Sequence, residues 1–92
     1  MTYRNLKILE SARDETCVVC GSDYGVVWAH SNELAHGKGR GIKAHDLLGL
    51  YLCFDHHQWY DNGATDREKK REFFREYYPA TMVRLCEKGV LK

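Results

Sequence analysis

The sequence predicts a small α+β fold stapled by a metal ion, and three observations carry that prediction. Cys17-Val-Val-Cys20 and Cys53-Phe-Asp-His56 each offer two metal ligands across one turn. Gly25-Val26-Val27-Trp28-Ala29-His30 concentrates β-branched and aromatic residues, the composition of a strand. Apolar residues at helical spacing occur before the first half-site and after the second. At 92 residues the chain is one domain, residues 1–92. A core this small is often helped by a staple.

The first segment, residues 2–13, is expected to be a helix. Tyr3, Leu6 and Leu9, with Ile8 and Ala12, form its apolar stripe. Asp14-Glu15-Thr16 breaks it. Cys17 to Gly21 is a turn, with Gly21 free to take the backbone angle a knuckle needs. The strand at 25–30 leads into a long connection, residues 32–45. The apolar stretch 47–53 is a second strand or the lead-in to the second knuckle. A short helix follows at 56–60, and Asn62-Gly63 stops it. Thr65-Asp66-Arg67-Glu68 has the form of a capping box. The helix it opens is expected to end at Tyr78, because Pro79 disfavours helical angles in the residue before it. A last helix is expected from Pro79 to Lys88, with Gly89 as its stop.

Composition narrows the class. The hydrophobic fraction, 43%, is ordinary for a globular protein and excludes global disorder. A net charge of +1 gives no polybasic signature, so any nucleic-acid footprint is local. No apolar run approaches membrane-spanning length, and no membrane partner is expected. The N-terminal residues run straight into a charged amphipathic segment without the pattern of a signal peptide. A cytoplasmic location is therefore expected, where cysteines stay reduced and bind metal in preference to forming disulfides. A thioredoxin-like redox role is disfavoured because no βαβ pattern surrounds Cys17 and Cys20.

Cys17, Cys20, Cys53 and His56 fill the four positions of a tetrahedral structural Zn²⁺ site. Cys86 belongs to the apolar pattern of Met82, Val83 and Leu85, and is expected to be a buried core thiol. Three chemically able residues remain outside the clasp. His57 and Asp61, four apart on the short helix, project from one face and suit a second divalent ion such as Mg²⁺, Mn²⁺ or Zn²⁺. His30 stands at the end of the strand, where an imidazole can take a proton from water. Phosphodiester hydrolysis is the reaction such a set would run. Residues 37–43, Gly-Lys-Gly-Arg-Gly-Ile-Lys, expose backbone N–H groups beside Lys38, Arg40 and Lys43, a loop able to approach phosphates. The blander alternative is a flexible surface turn. On the helix after residue 65, Arg67, Lys69, Lys70, Arg71 and Arg75 interleave with Glu68, Glu72 and Glu76, the pattern of a solvated face. Phe73, Phe74, Tyr77 and Tyr78 are expected to be core against the knuckle or the first helix.

These residues resemble the HNH, or His-Me finger, endonucleases. The shared order is Cys-x-x-Cys, strand histidine, glycine-rich loop, then the second half-site, a histidine and a residue four later. More narrowly, Ala29-His30-Ser31-Asn32, residues 36–44 and residues 85–91 are similar to small YbcO-like phage and prophage nucleases. The likeness covers about residues 4–91. It implies a zinc-stabilised ββα-metal core with an N-terminal helix and two C-terminal helices. His30 would be the general base, His57 and Asp61 the helix ligands of a catalytic divalent ion, and DNA the partner. Ala29 departs from the pattern, since many members place a metal ligand just before the base. Asn32, His36 or a main-chain carbonyl would substitute for that ligand. No residue cleanly matches the central asparagine that orients the base loop, and Asp46 is the nearest candidate. The expected activity is a metal-dependent DNA endonuclease or nickase in a bacterial host cell. The alternatives are a non-catalytic zinc-stabilised nucleic-acid-binding module and a protein-interaction adaptor.

Overall fold

Asn5 opens the first helix: its backbone is extended and its side chain accepts a hydrogen bond from the Lys7 N–H at 3.1 Å. The computed structural model describes residues 3–32, 45–61 and 67–90. Helix α1 (Leu6–Glu10) passes into a 3-10 turn (Ser11–Asp14). The helix is thus shorter than the expected 2–13, and its inner stripe differs. Ile8 and Ala12 are buried, whereas Tyr3 and Leu6 are exposed. The cause is upstream. The Tyr3 carbonyl accepts from the Asp46 N–H and the Tyr3 N–H donates to His45 Nδ1, so the helical register starts only after Asn5.

Strand β1 (Val27–His30) pairs antiparallel with β2 (Gly49–Leu52), Trp28 opposite Tyr51 and His30 opposite Gly49. Side chains alternate across this two-stranded sheet. Ala29, Leu50 and Leu52 enter one core with Cys17, Cys53, Tyr60 and Phe74. Trp28 and Tyr51 enter a second core with Ile8, Ala12 and Leu85. By the same alternation His30 leaves the sheet on the Trp28 side. Helix α2 (Phe54–Asp61) follows β2 after one residue and packs through buried Tyr60 on the Ala29 side.

The expected two C-terminal helices are one helix, α3 (Arg67–Glu87), with Pro79 inside it. Proline removes a hydrogen bond to the residue four before it. Here Arg75 and Pro79 are both exposed, so the deprived carbonyl lies on the solvent side. Apolar contacts on either side of the proline keep the helix continuous through it: Phe74 in the first core, Leu85 in the second. The helix ends as expected at Gly89, which has φ +74°. The Gly89 N–H reaches the Cys86 carbonyl and the Val90 N–H the Leu85 carbonyl, a Schellman closure. Cys86 is exposed, not buried. Leu85 takes the inward position, and its neighbour stands about 100° round the helix. Asn62, Gly63, Thr65 and Asp66 lie outside the described residues.

Candidate functional site

The four zinc-type ligands converge. The ligand atoms of Cys17, Cys20, Cys53 and His56 all lie within 4.8 Å of one another. Cys20 Sγ and Cys53 Sγ are 3.8 Å apart, Cys17 Sγ and His56 Nδ1 3.5 Å, and Cys53 Sγ and His56 Nδ1 3.2 Å. A tetrahedral Zn²⁺ with ordinary bond lengths needs roughly 3.8 Å between sulfurs and roughly 3.6 Å between sulfur and nitrogen. These three separations fit that edge length to within a few tenths of an ångström and the others stay within 4.8 Å, so this Cys3His cluster could hold a structural metal such as zinc.

The backbone prepares the first knuckle for charge. Gly21, at φ +77°, turns the chain so that its N–H meets the Cys17 carbonyl. Burial opposes ionisation of Cys17, but the N–H groups of Cys53, Cys20 and Val19, helped by the Cys20 thiol, bring it down to about 7. Cys53 goes the other way. Burial pushes its thiol up, and the Cys17 and Cys20 thiols add to that against the His56 N–H. Phe73 of α3 stacks on the His56 ring with centroids 6.4 Å apart, and also touches Trp59 and Tyr60. The expected packing of the α3 aromatics against the knuckle is therefore present.

His30 is held by Asp46. Nε2 of His30 lies 2.7 Å from Oδ1 of Asp46, whose side chain is only 5% exposed. The same oxygen receives Arg4 at 2.9 Å, and Oδ2 receives the Asn5 N–H. The Asp46 carbonyl accepts the Trp28 indole N–H at 2.7 Å. Burial opposes ionisation of Asp46, yet His30, the Asn5 N–H and Arg4 together hold its carboxyl below the ordinary value. With Nε2 donating to this carboxylate, the neutral form of the His30 ring has its lone pair on Nδ1.

His57 and Asp61 form the second pair, Nε2 to Oδ2 at 2.9 Å, on an accessible stretch of α2. No hydrogen bond or ion pair joins His30 to either among the described residues. What joins their elements is Asn32. Its backbone N–H donates to the Tyr60 hydroxyl at 3.3 Å and its side-chain amide to the Tyr60 carbonyl at 3.1 Å. The chain two residues beyond His30 is thereby fastened beside Asp61. His36, Lys38, Arg40 and Lys43 lie outside the described residues.

No family model, curated protein or solved structure matches this chain. Among the described residues no helix is long and apolar enough to cross a membrane. Arg4, Asn5 and Tyr60 are site residues that sequence reasoning missed. Arg4 and Asn5 meet Asp46 from 42 and 41 positions away, and no local pattern announces such a contact. Tyr60 was legible only as an aromatic residue of a short helix.

Proposed function

We propose that this chain is a metal-dependent endonuclease or nickase that hydrolyses phosphodiester bonds in DNA, built on an HNH-like ββα-metal core. The observation that supports it most is the double hold of Asn32 on Tyr60. It ties the chain two residues beyond His30 to Tyr60, the neighbour of Asp61, although the His30 side chain leaves the sheet on the face opposite α2. In the proposed reaction Nδ1 of His30 takes a proton from water, which then attacks phosphorus. Asp46 fixes the imidazole so that the accepting nitrogen is the free one. The His57–Asp61 separation of 2.9 Å is close to the roughly 3.0 Å between adjacent ligands of an octahedral ion bonded at about 2.1 Å. A divalent ion held there would supply positive charge to the phosphate and the leaving oxygen. The cations Lys38, Arg40 and Lys43 would contact the backbone of the nucleic acid, and the Cys17, Cys20, Cys53 and His56 clasp would hold zinc.

Plasmid nicking in Mg²⁺, Mn²⁺, Ni²⁺ or Zn²⁺, comparing wild type with His30→Ala, tests this. A loss of about 10²–10⁴-fold in the variant is expected, and equal cleavage by both proteins would remove His30 from the reaction. A non-catalytic zinc-stabilised nucleic-acid-binding module is the alternative favoured by Ala29. That residue is 1% exposed and packed among Leu50, Tyr60 and Phe74, at the position where the resemblance would put a further metal ligand. DNA binding by folded protein with no cleavage in any metal would establish that alternative.

A further inference from the structure

His30 and Arg4 bond the same atom. Oδ1 of Asp46 lies 2.7 Å from Nε2 of His30 and 2.9 Å from a guanidinium nitrogen of Arg4. We propose that Arg4 is a positioning residue that keeps His30 neutral, and so able to accept a proton, by occupying the one carboxylate oxygen that an imidazolium would need. Its catalytic meaning rests on the nuclease reading; its electrostatics do not.

A lone carboxylate beside a histidine favours the protonated ring, because the opposite charge stabilises it. A carboxylate that must stay ionised to orient a general base would, by itself, spoil that base near neutral pH. The guanidinium removes the conflict. It is always charged, so the carboxylate oxygen is already neutralised, and a proton arriving on His30 meets a second cation on the same acceptor. The hydrogen bond that orients the ring survives in the neutral form. Asp46 is buried and cannot swing away to separate the two donors, since the Asn5 N–H holds its other oxygen.

Among the described residues, the other nearby titratable groups on the neighbouring elements bond neither Asp46 nor His30. Gly49, opposite His30 on β2, brings no charge. On α1, Lys7 and Glu10 are exposed and bond neither Asp46 nor His30. His45 accepts the Tyr3 N–H at Nδ1. On α2, His57 and Asp61 pair with each other. Glu15 pairs with Arg84 and Lys88. Arg4 is 45% exposed, so exchanging it removes the charge without opening the core.

An NMR titration of the His30 ring in the zinc-loaded full chain tests the proposal, with Arg4→Met, Arg4→Gln, Arg4→Lys and Asp46→Asn beside wild type. In Arg4→Met and Arg4→Gln the His30 midpoint should rise by about 0.5–1 pH unit, because the carboxylate then serves the imidazolium alone. Arg4→Lys keeps the charge and should restore most of the wild-type value. Asp46→Asn should lower it. A role for Arg4 as a mere strap predicts the opposite direction: a loosened His30–Asp46 bond and an unchanged or lower midpoint. That result in either neutral variant would overturn the proposal. The acid limb of the nicking pH profile should move with the NMR midpoint. A moved midpoint with no nicking by any protein keeps this inference and removes the nuclease reading. Nicking with midpoint and profile both unmoved by Arg4→Met does the reverse.

Discussion

A Cβ added to Gly49 would lie 2.5 Å from the Trp28 indole nitrogen and 2.8 Å from the Ala29 carbonyl oxygen. Neither neighbour can give way cheaply: the carbonyl is strand backbone and the indole is tied to Asp46. Gly49→Ala should therefore cost about 1–3 kcal/mol in urea unfolding. Tryptophan fluorescence should report the displaced ring. Asp46 gives a pH prediction at the same scale. Its folded carboxyl titrates below the ordinary 3.8, so the unfolded chain takes up the proton first as pH falls. The stability that ionised Asp46 contributes is complete above about pH 4 and disappears as pH drops through the folded value. Wild type should exceed Asp46→Asn by about 1–3 kcal/mol at neutral pH, and urea midpoints should converge in acid. A gap that persists to about pH 2 would show that hydrogen bonding, not ionisation, is what Asp46 contributes. The zinc-type ligands were legible because only thiolates and imidazoles at one-turn spacing do that job. The partners of Asp46 were not, because nothing in their local sequence marks a contact across more than forty residues.

At the scale of elements, β1 and the Gly89 stop were legible in local propensity and turn chemistry, whereas residues 47–53 read equally as a strand or as the lead-in to the knuckle, and α2 begins at Phe54, before the expected His56. The continuous α3 was not legible. The pre-proline rule is a local preference, and two separate apolar contacts, Phe74 and Leu85, overrode it. Pro79 is then a tolerated fault on the outer face of a helix. Pro79→Ala should stabilise the protein by about 1–3 kcal/mol. For a domain of this size that raises the thermal midpoint by roughly 4–8 °C per kcal/mol. A thermal scan checks it, and a fall in the midpoint would mean the proline shapes a bend that the cores require. The Tyr77 carbonyl already receives the Thr81 hydroxyl at 2.9 Å. That extra acceptor bond is a common companion of helix curvature.

Across the whole molecule, the two cores are small and share both the sheet and α3. Cys17 and Cys53 are members of the first core as well as of the cluster that could hold a metal. Structural zinc in such sites contributes about 10–16 kcal/mol of apparent binding free energy, comparable with the whole stability of a domain, about 5–15 kcal/mol. Exhaustive chelation, or Cys53→Ser, should therefore abolish near-UV circular dichroism in one transition that takes both cores together. Native dichroism retained without metal would refute the structural role of the cluster. The α+β class and the clasp were legible at this scale, but the division into two cores was not, because it depends on which strand residue faces which way. Cys20 and Cys53 stand 33 positions apart in sequence, yet their sulfurs are neighbours. Between them the described residues are anchored by the hairpin and by Asn32. Doubling the length of such a connection costs only about 0.6 kcal/mol. A metal held in the clasp would thus fasten chain ends that the hairpin already brings close, so that the sheet, not the ion, bears most of the entropy of closing that path.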